Sequence, residues 1–591
     1  MQLISQSSPP ETRQVAAALQ ACRGAFWSVA IFSGVVNLLM LAGPLYMLQI
    51  YDRVLASRSV PTLVALSIFL VGAYAFQGVL DAIRGRIVVR GAAVLDQHLD
   101  TTVHRAVIAL AIQSRRPNDA HQPLRDLDSI RAFLTGTGPI AIVDLPWMPF
   151  FLFICFLIHP WLGVVSLAGA ILLLALTLMT ERSTRAPSRT VAQDAGLRTA
   201  MVEADRRNSE SVVAMGMGEA LANRWSKVND NFLAAVRRST DVANTYGSLA
   251  KVLRLLLQSI ILGLGAYLVL RQELTPGAMI AASIMMGRAL APIDAAIANW
   301  RAFIAARQSV TRLSDVLERI RSGQTTTDLP KPCRAIDVEH VSVAPPGAQG
   351  TILNNVNFRL GAGEALGIIG PSGAGKTSLV RTLVGIWRPV RGAVRLDGAA
   401  IDQWNRTSLG KHIGFVSQNV ELFDGTISEN IARMATQPDA EAVIAAAQAA
   451  GAHDMVLRLP SGYDTRIGDG GTALSAGQRQ RIALARAVFG SPFLVVLDEP
   501  NSNLDNEGEM ALQQAIVGLK SRGAIVVLIA HRPQALAACD KVLFVANGAQ
   551  QAFGPRDEVL QKVLARPQPL QAPAVAANLK VVAEAGKAGD R

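Results

Sequence analysis

Gly370-Pro371-Ser372-Gly373-Ala374-Gly375-Lys376-Thr377 reads G-x-x-x-x-G-K-T, the pattern of a phosphate-binding loop matched at every fixed position. Its flanks suit that reading. Ala365–Ile369 is a short apolar run fit for a buried parallel strand, and Ser378–Gly385 can continue as a helix. Glycines let the backbone turn tightly enough to aim its N–H groups at phosphate oxygens. Gly370 to Thr377, with Ser378 behind them, are therefore expected to bind nucleotide. Lys376 is placed to reach the β- and γ-phosphates, and the Thr377 hydroxyl to ligate Mg²⁺. A chance glycine-rich turn would need no partners elsewhere in the chain. This loop has them.

Phe493-Leu494-Val495-Val496-Leu497-Asp498-Glu499 is a continuous apolar run ending in two carboxylates. A parallel strand buried on both faces reads this way and delivers its last side chains at the carboxyl edge of the sheet. Asp498 is expected to hold the Mg²⁺ shell, and Glu499 to polarise the attacking water. A second apolar run, Ala524–Ala530, ends at His531, which is then positioned to sense the γ-phosphate. Alone, His531 would read as a plain surface histidine.

Outward from this site the composition changes. The chain has 591 residues, enough for more than one domain. It is 50% apolar and 17% charged, with a mean hydropathy of +0.29, and the apolar residues concentrate in the first half. Six stretches are long enough to cross a bilayer, which takes about 20 residues: Phe26–Leu48, Thr62–Leu80, Ile140–Ile158, Leu162–Met179, Leu253–Leu270 and Gly277–Ala298. They pair through short turns at Tyr51–Pro61, His159–Trp161 and Arg271–Pro276, with long polar segments at Asp81–Pro139 and Glu181–Lys251. The long segments carry most of the arginines, among them Arg84, Arg90, Arg131, Arg198, Arg224 and Arg238, whereas the turns hold Arg53, Arg58 and Arg271. An excess of cations marks the cytoplasmic side. Both termini, the long segments and the phosphate loop are thus expected in the cytoplasm.

The net charge of +12 is accounted for by those arginines, so no nucleic-acid partner is expected. Cys22, Cys155, Cys333 and Cys539 are scattered without C-x-x-C spacing, which argues against a disulfide framework or zinc site. The polar segment 1–24 lacks the pattern of a cleavable signal peptide. The predicted architecture is an α-helical membrane domain over 25–321, a linker Ser322–Pro332, an α/β nucleotide-binding domain Cys333–Leu564, and a disordered tail Ala565–Arg591. The long polar segments read as helical extensions of the spans. They are interrupted near Pro117–Pro123 and Gly216–Gly218, and their tips, near Arg115–Asp119 and Ala214–Gly218, are expected to dock on the nucleotide-binding domain. Pro44 is expected to kink the first span, and Pro146 and Pro149 the third. Arg288 falls midway along the sixth span, where a charge facing lipid is expensive. It is expected to line a water-filled translocation path, with Asp144, a phospholipid headgroup or cavity water as its partner.

Leu474-Ser475-Ala476-Gly477-Gln478, followed by Arg479–Ala487 in helical spacing, resembles the signature of the ATP-binding cassette family, which reads LSGGQ. Ala476 departs from the usual glycine. The resemblance extends to Gln418 as the Q-loop glutamine, implying roles at the water and at Mg²⁺, and to Ser502-Asn503-Leu504-Asp505 as the D-loop, implying that Asp505 belongs to the nucleotide site. In that family two cassettes pair head to tail, so Ser475, Gly477 and Gln478 would contact the ATP held by a partner copy. One cassette and six spans then imply a homodimer. The family also stacks an aromatic residue on adenine, whereas Val341-Ser342-Val343-Ala344-Pro345-Pro346 contains none, so weak selection of ATP over GTP is expected.

A finer resemblance, to bacterial type I secretion exporters of proteases and repeat-in-toxin proteins, is carried by Pro44–Val54 (PLYMLQIYDRV), Asp126–Phe133 (DLDSIRAF), Asp144–Pro149 (DLPWMP) and the ELFDGTISEN within Gly414–Asn430. It implies an inner-membrane ATPase in contact with membrane lipid, exporting unfolded proteins with a C-terminal signal through a membrane-fusion adaptor and an outer-membrane tunnel. The short segment before the first span leaves no room for the peptidase-like domain of some relatives. A lipid, peptide or drug exporter shares the architecture and is the alternative.

Overall fold

A computed structural model describes residues 12–113, 121–321, 328–348, 350–530 and 532–564. His531, the Arg115–Asp119 tip, most of the linker and the 565–591 tail lie outside them. The chain divides into two units, Met1–Gly323 and Gln324–Arg591.

Among the described residues of the first unit six helices are long and apolar enough to cross a membrane: Arg23–Ser57, Val60–Gln113, Gly138–Ile158, Pro160–Arg207, Gly218–Leu270 and Pro276–Ile320. They overlap the six expected spans. At 1.5 Å per residue the 54-residue helix Val60–Gln113 is about 80 Å long, far beyond a hydrocarbon core of about 30 Å. Most of the spans are thus one end of long rods that run on through the polar segments. The breaks fall where the sequence is punctuated. The first span stops at Leu39 and resumes at Ala42, which puts Pro44 in a first helical turn where its missing N–H costs nothing; a π-helical turn follows at Ile50–Val54. Leu145–Trp147 interrupts the third span as a 3₁₀ turn around Pro146.

Three features of this unit are not legible in the sequence. Thr12–Ala21, in the segment read only as polar, is a helix whose Val15 and Ala18 pack with Cys22 on Ala92, Leu95 and Leu99 of the second rod. Arg84, counted above with the cytoplasmic cations, is instead buried at 7% exposure. Its guanidinium bonds Asp81 at 2.8 Å, Asp144 at 3.2 Å and the Ser33 hydroxyl at 2.8 Å, while Asn37 donates to Asp144 at 3.0 Å. This network ties the first three spans together. Asp126, also buried, accepts from Ser309 at 2.8 Å and from Arg312 at 2.5 Å, which pins the helix Gln122–Thr135 to the last rod.

These pairings change the setting expected for Arg288. Asp144, one of its expected partners, is taken by Arg84, and Asp294 pairs with Arg254 at 2.5 Å. Arg288 is half-buried, with Nη1 3.8 Å from Met40 Sδ.

The second unit is built on a ten-stranded sheet: β1 Ala335–Val343, β2 Leu353–Gly361, β3 Ala365–Ile369, β4 Arg391–Leu396, β5 Ala399–Ala400, β6 Ile413–Val416, β7 Leu494–Asp498, β8 Ile525–Ile529, β9 Lys541–Ala546 and β10 Ala549–Pro555, in the order β5-β4-β1-β2-β10-β9-β3-β8-β7-β6. Strands β9, β3, β8, β7 and β6 are parallel; β2, β1, β4 and β5 form an antiparallel wing. Both faces of the parallel part are covered. Leu494, Val496, Val527 and Ile368 enter one core, whereas Val495, Leu497, Val526 and Leu528 enter the other. That alternation explains the unbroken apolar runs of the sequence.

Candidate nucleotide site

The loop Gly370–Gly375 leaves β3 at its carboxyl end and feeds the helix Lys376–Leu383. Two glycines are dictated by space. A Cβ on Gly370 (φ +152°) would strike the Val545 carbonyl, and one on Gly375 (φ +96°) would meet Leu353 at 2.7 Å. Pro371, Ser372 and Gly373 are exposed, while Ala374, Lys376 and Ser378 are buried. The Lys376 ammonium folds back to donate to the carbonyls of Gly370 at 2.8 Å and Pro371 at 2.9 Å. Burial lowers its pKa, opposed by the carboxylates of Glu499 and Asp498. A buried cation donating to two backbone carbonyls at the start of a helix is poised to take phosphate oxygens instead.

Asp498 ends β7 at 1% exposure, and the Thr377 hydroxyl donates to its Oδ1 at 3.4 Å. Burial raises the Asp498 pKa, with Glu499 adding to the shift and the Thr377 bond opposing it. A buried carboxylate facing a hydroxyl is an oxygen-donor set that suits a hard divalent cation. Glu499 comes one residue beyond the strand in left-handed backbone, φ +51°, a conformation that costs a non-glycine residue on the order of 1 kcal/mol and concentrates at working sites. Its Oε2 accepts from Gln418 Nε2 at 3.2 Å. The structure thus gathers Lys376, Thr377, Asp498, Glu499 and Gln418 around one loop.

Among the described residues no hydrogen bond joins Ser475, Gly477 or Gln478 to 370–378. They open the helix Ala476–Val488 through a reciprocal cap, in which Ser475 Oγ accepts from the Gln478 N–H at 3.3 Å and Gln478 Oε1 from the Ser475 N–H at 2.9 Å. Ala476 is exposed, so its methyl meets nothing that a glycine would be needed to avoid. Gly477 is tighter, since a Cβ there would sit 3.0 Å from the Asn503 carbonyl.

Two residues on this helix carry contacts that spacing alone did not indicate. Gln480, buried at 2%, donates to the carbonyls of Glu499 and Pro500. Arg481 bonds Asp505 at 2.7 Å, and Asp505 caps the next helix by accepting from the Gly508 N–H at 2.8 Å. Those two bonds hold the Asp505 carboxyl below its usual range. The signature helix is therefore joined through side chains to the peptide that carries Glu499. In the ELFDGTISEN stretch, buried Asn430 bonds both the N–H and the carbonyl of Phe423 at 2.9 Å, leaving that ring 60% exposed.

Comparison with known proteins agrees with this construction. Residues 353–502 match the ABC transporter family model, and 26–290 match the ABC transporter transmembrane region. The chain belongs to the ABC transporter family, with a six-helix membrane domain and an ATP-hydrolysing cassette. It is 51% identical over 573 residues to the type I secretion system ATP-binding protein PrsD of Rhizobium meliloti (strain 1021), covering 97% of this chain and 98% of that one. Leukotoxin translocation ATP-binding protein LktB of Mannheimia haemolytica is 31% identical over 544 residues, 91% of this chain and 77% of that one. A bacterial Atm1-family ABC exporter solved with ATP bound superposes with a TM-score of 0.78 over 95% of this chain and all of that one, at 22% identity, and so shares the fold. By homology the chain is a type I secretion ATP-binding exporter and a multi-pass membrane protein.

Proposed function

We propose that this chain is the inner-membrane ATPase of a type I secretion system that exports unfolded proteins bearing a C-terminal signal. The observation that carries the reading is the match to PrsD along nearly the whole chain, membrane domain included, together with a site in which Lys376, Thr377, Asp498 and Glu499 are all present. The single cassette in the chain, whose Ser475–Gln478 make no hydrogen bond to the phosphate loop among the described residues, fits a homodimer in which each signature helix would complete the partner's site.

In that dimer the loop N–H groups and Lys376 hold the ATP phosphates. Thr377 and Asp498, with Gln418 beside them, would hold Mg²⁺, which would supply charge neutralisation on the phosphates. Glu499 orients the attacking water and accepts its proton, and His531 meets the γ-phosphate. Arg288 lines an aqueous path through the membrane domain. The cassettes and the polar extensions face the cytoplasm, as the arginine distribution supports. Beyond the membrane an adaptor protein and an outer-membrane tunnel carry the substrate onward. The test is the ATPase rate of the purified full chain with a peptide matching the C-terminus of a co-encoded secreted protein. That peptide, and not a scrambled one, is expected to shift the rate.

A further inference from the structure

The signature helix Ala476–Val488 ends in carbonyls that have no partner within the helix, those of Ala485, Arg486, Ala487 and Val488. The N–H of Phe489 bonds the first and the N–H of Ser491 the last. Arg433 takes the two between. Its Nε donates to the Arg486 carbonyl and its Nη2 to the Ala487 carbonyl, each at 3.1 Å, while Nη1 donates to the Gly410 carbonyl at 2.7 Å. One guanidinium thus joins the end of this helix to the segment that leads into β6.

The strand itself presses on the same place. A Cβ on Gly414 would strike the Ala487 carbonyl, so only glycine lets β6 lie against the helix end. β6 stops at Val416, two residues before Gln418. Beyond Gln418 a second arginine takes hold. Arg486 donates from Nη2 to the Glu421 carbonyl at 3.1 Å, and its guanidinium carbon lies 5.6 Å from the centre of the Phe423 ring. Both limbs of the loop that carries Gln418 are therefore fastened to the last turn of the helix that Ser475 opens.

Holding this junction together has a cost. Arg433 and Met434 are both left-handed, at φ +58° and +59°, a backbone that residues other than glycine keep only where their surroundings hold them in it. Burial lowers the Arg433 pKa, and the neighbouring charge of Arg486 lowers it further. Strained backbone and two like charges side by side exceed what a plain helix cap requires.

We propose that Arg433 and Arg486 are positioning residues for ATP hydrolysis. They clamp the Gln418 loop to the end of the signature helix, which keeps Gln418 Nε2 on the Glu499 carboxylate it meets at 3.2 Å. The proposal rests on the roles given above to Gln418 and Glu499, and adds two residues that act through them.

The test joins a kinetic cycle to hydrogen exchange on the purified full chain. Arg433→Gln should lower kcat about tenfold, the lower end of what a charge-assisted hydrogen bond contributes, and change KM for ATP less than about twofold. Added to Gln418→Ala it should lower kcat no further, because both changes act through one contact. Amide exchange should rise at 417–424 and at 486–490 and stay level at 370–378. Arg433→Lys can keep one of the three carbonyl bonds. It should fall between the unaltered protein and Arg433→Gln in both readouts, and it stands in for the glutamine variant if that one does not fold. A lowered melting temperature with kcat unchanged in the folded variant would mean a merely structural clamp and would overturn the proposal. So would a double variant slower than Gln418→Ala by the full factor of Arg433→Gln, or exchange at 417–424 that neither variant alters. If Gln418→Ala alone leaves kcat intact, the role given to Gln418 has failed, and exchange at 417–424 still decides for or against the clamp.

Discussion

Glu499 and its neighbours show how far single residues could be read. The phosphate loop was legible because its pattern is local and its glycines answer to space, as Gly370 against Val545 and Gly375 against Leu353 show. Gln480 was not legible, because its acceptors are backbone carbonyls at Glu499 and Pro500, which no side-chain pattern advertises. Two predictions belong here. Glu499→Gln keeps the phosphate cradle and removes the base, so ATP binding should persist while turnover falls by about 10²–10⁴-fold, the usual size of a general-base contribution; nucleotide titration and phosphate release measured on one sample check both halves. Gln480→Leu removes the donors that hold the left-handed Glu499 peptide. Losing such hydrogen bonds costs roughly 1–3 kcal/mol, so kcat should drop by about 5–150-fold while KM for ATP barely moves. If Gln480 only stabilised the fold, the melting temperature would fall and kcat of the folded protein would not.

Elements were legible where periodicity and length are strong. The six spans stand out because about 20 apolar residues in a row have few other uses, and the prolines at 44 and 146 fall at the breaks they were expected to cause. The Arg84 network was missed for a physical reason. A charge count treats every arginine near a span as solvated, yet Arg84 sits 60 residues from Asp144 in sequence and is buried against it. Breaking a buried pair strands a charge and costs about 3–5 kcal/mol, whereas replacing both partners with apolar groups is often neutral. Arg84→Met alone should therefore lower the melting temperature of the purified protein sharply, and adding Asp144→Leu should restore much of it. A double variant no more stable than the single one would show that Ser33, Asn37 and Asp81 depend on the charges themselves.

At the scale of the whole molecule, the proposed function couples ATP turnover in the cassette to movement of a polypeptide through the membrane. If Arg288 lines that path, a thiol placed there should meet water. Cys333 is exposed and the other cysteines are buried, so the test uses Arg288→Cys in a Cys333→Ser background. Modification by a water-soluble thiol reagent should be fast and should change rate when ATP is added to a Glu499→Gln form; an inert thiol in every nucleotide state of the folded protein would remove Arg288 from the path. The most direct measurement of the central claim is the extracellular proteome of the encoding bacterium with the chromosomal copy changed to Glu499→Gln. A small set of proteins is expected to disappear from the medium and to be retained in the cells, each needing its own C-terminal segment for release by the unaltered strain. An unchanged extracellular proteome, with the variant protein present in the membrane and its ATPase activity abolished, would contradict it.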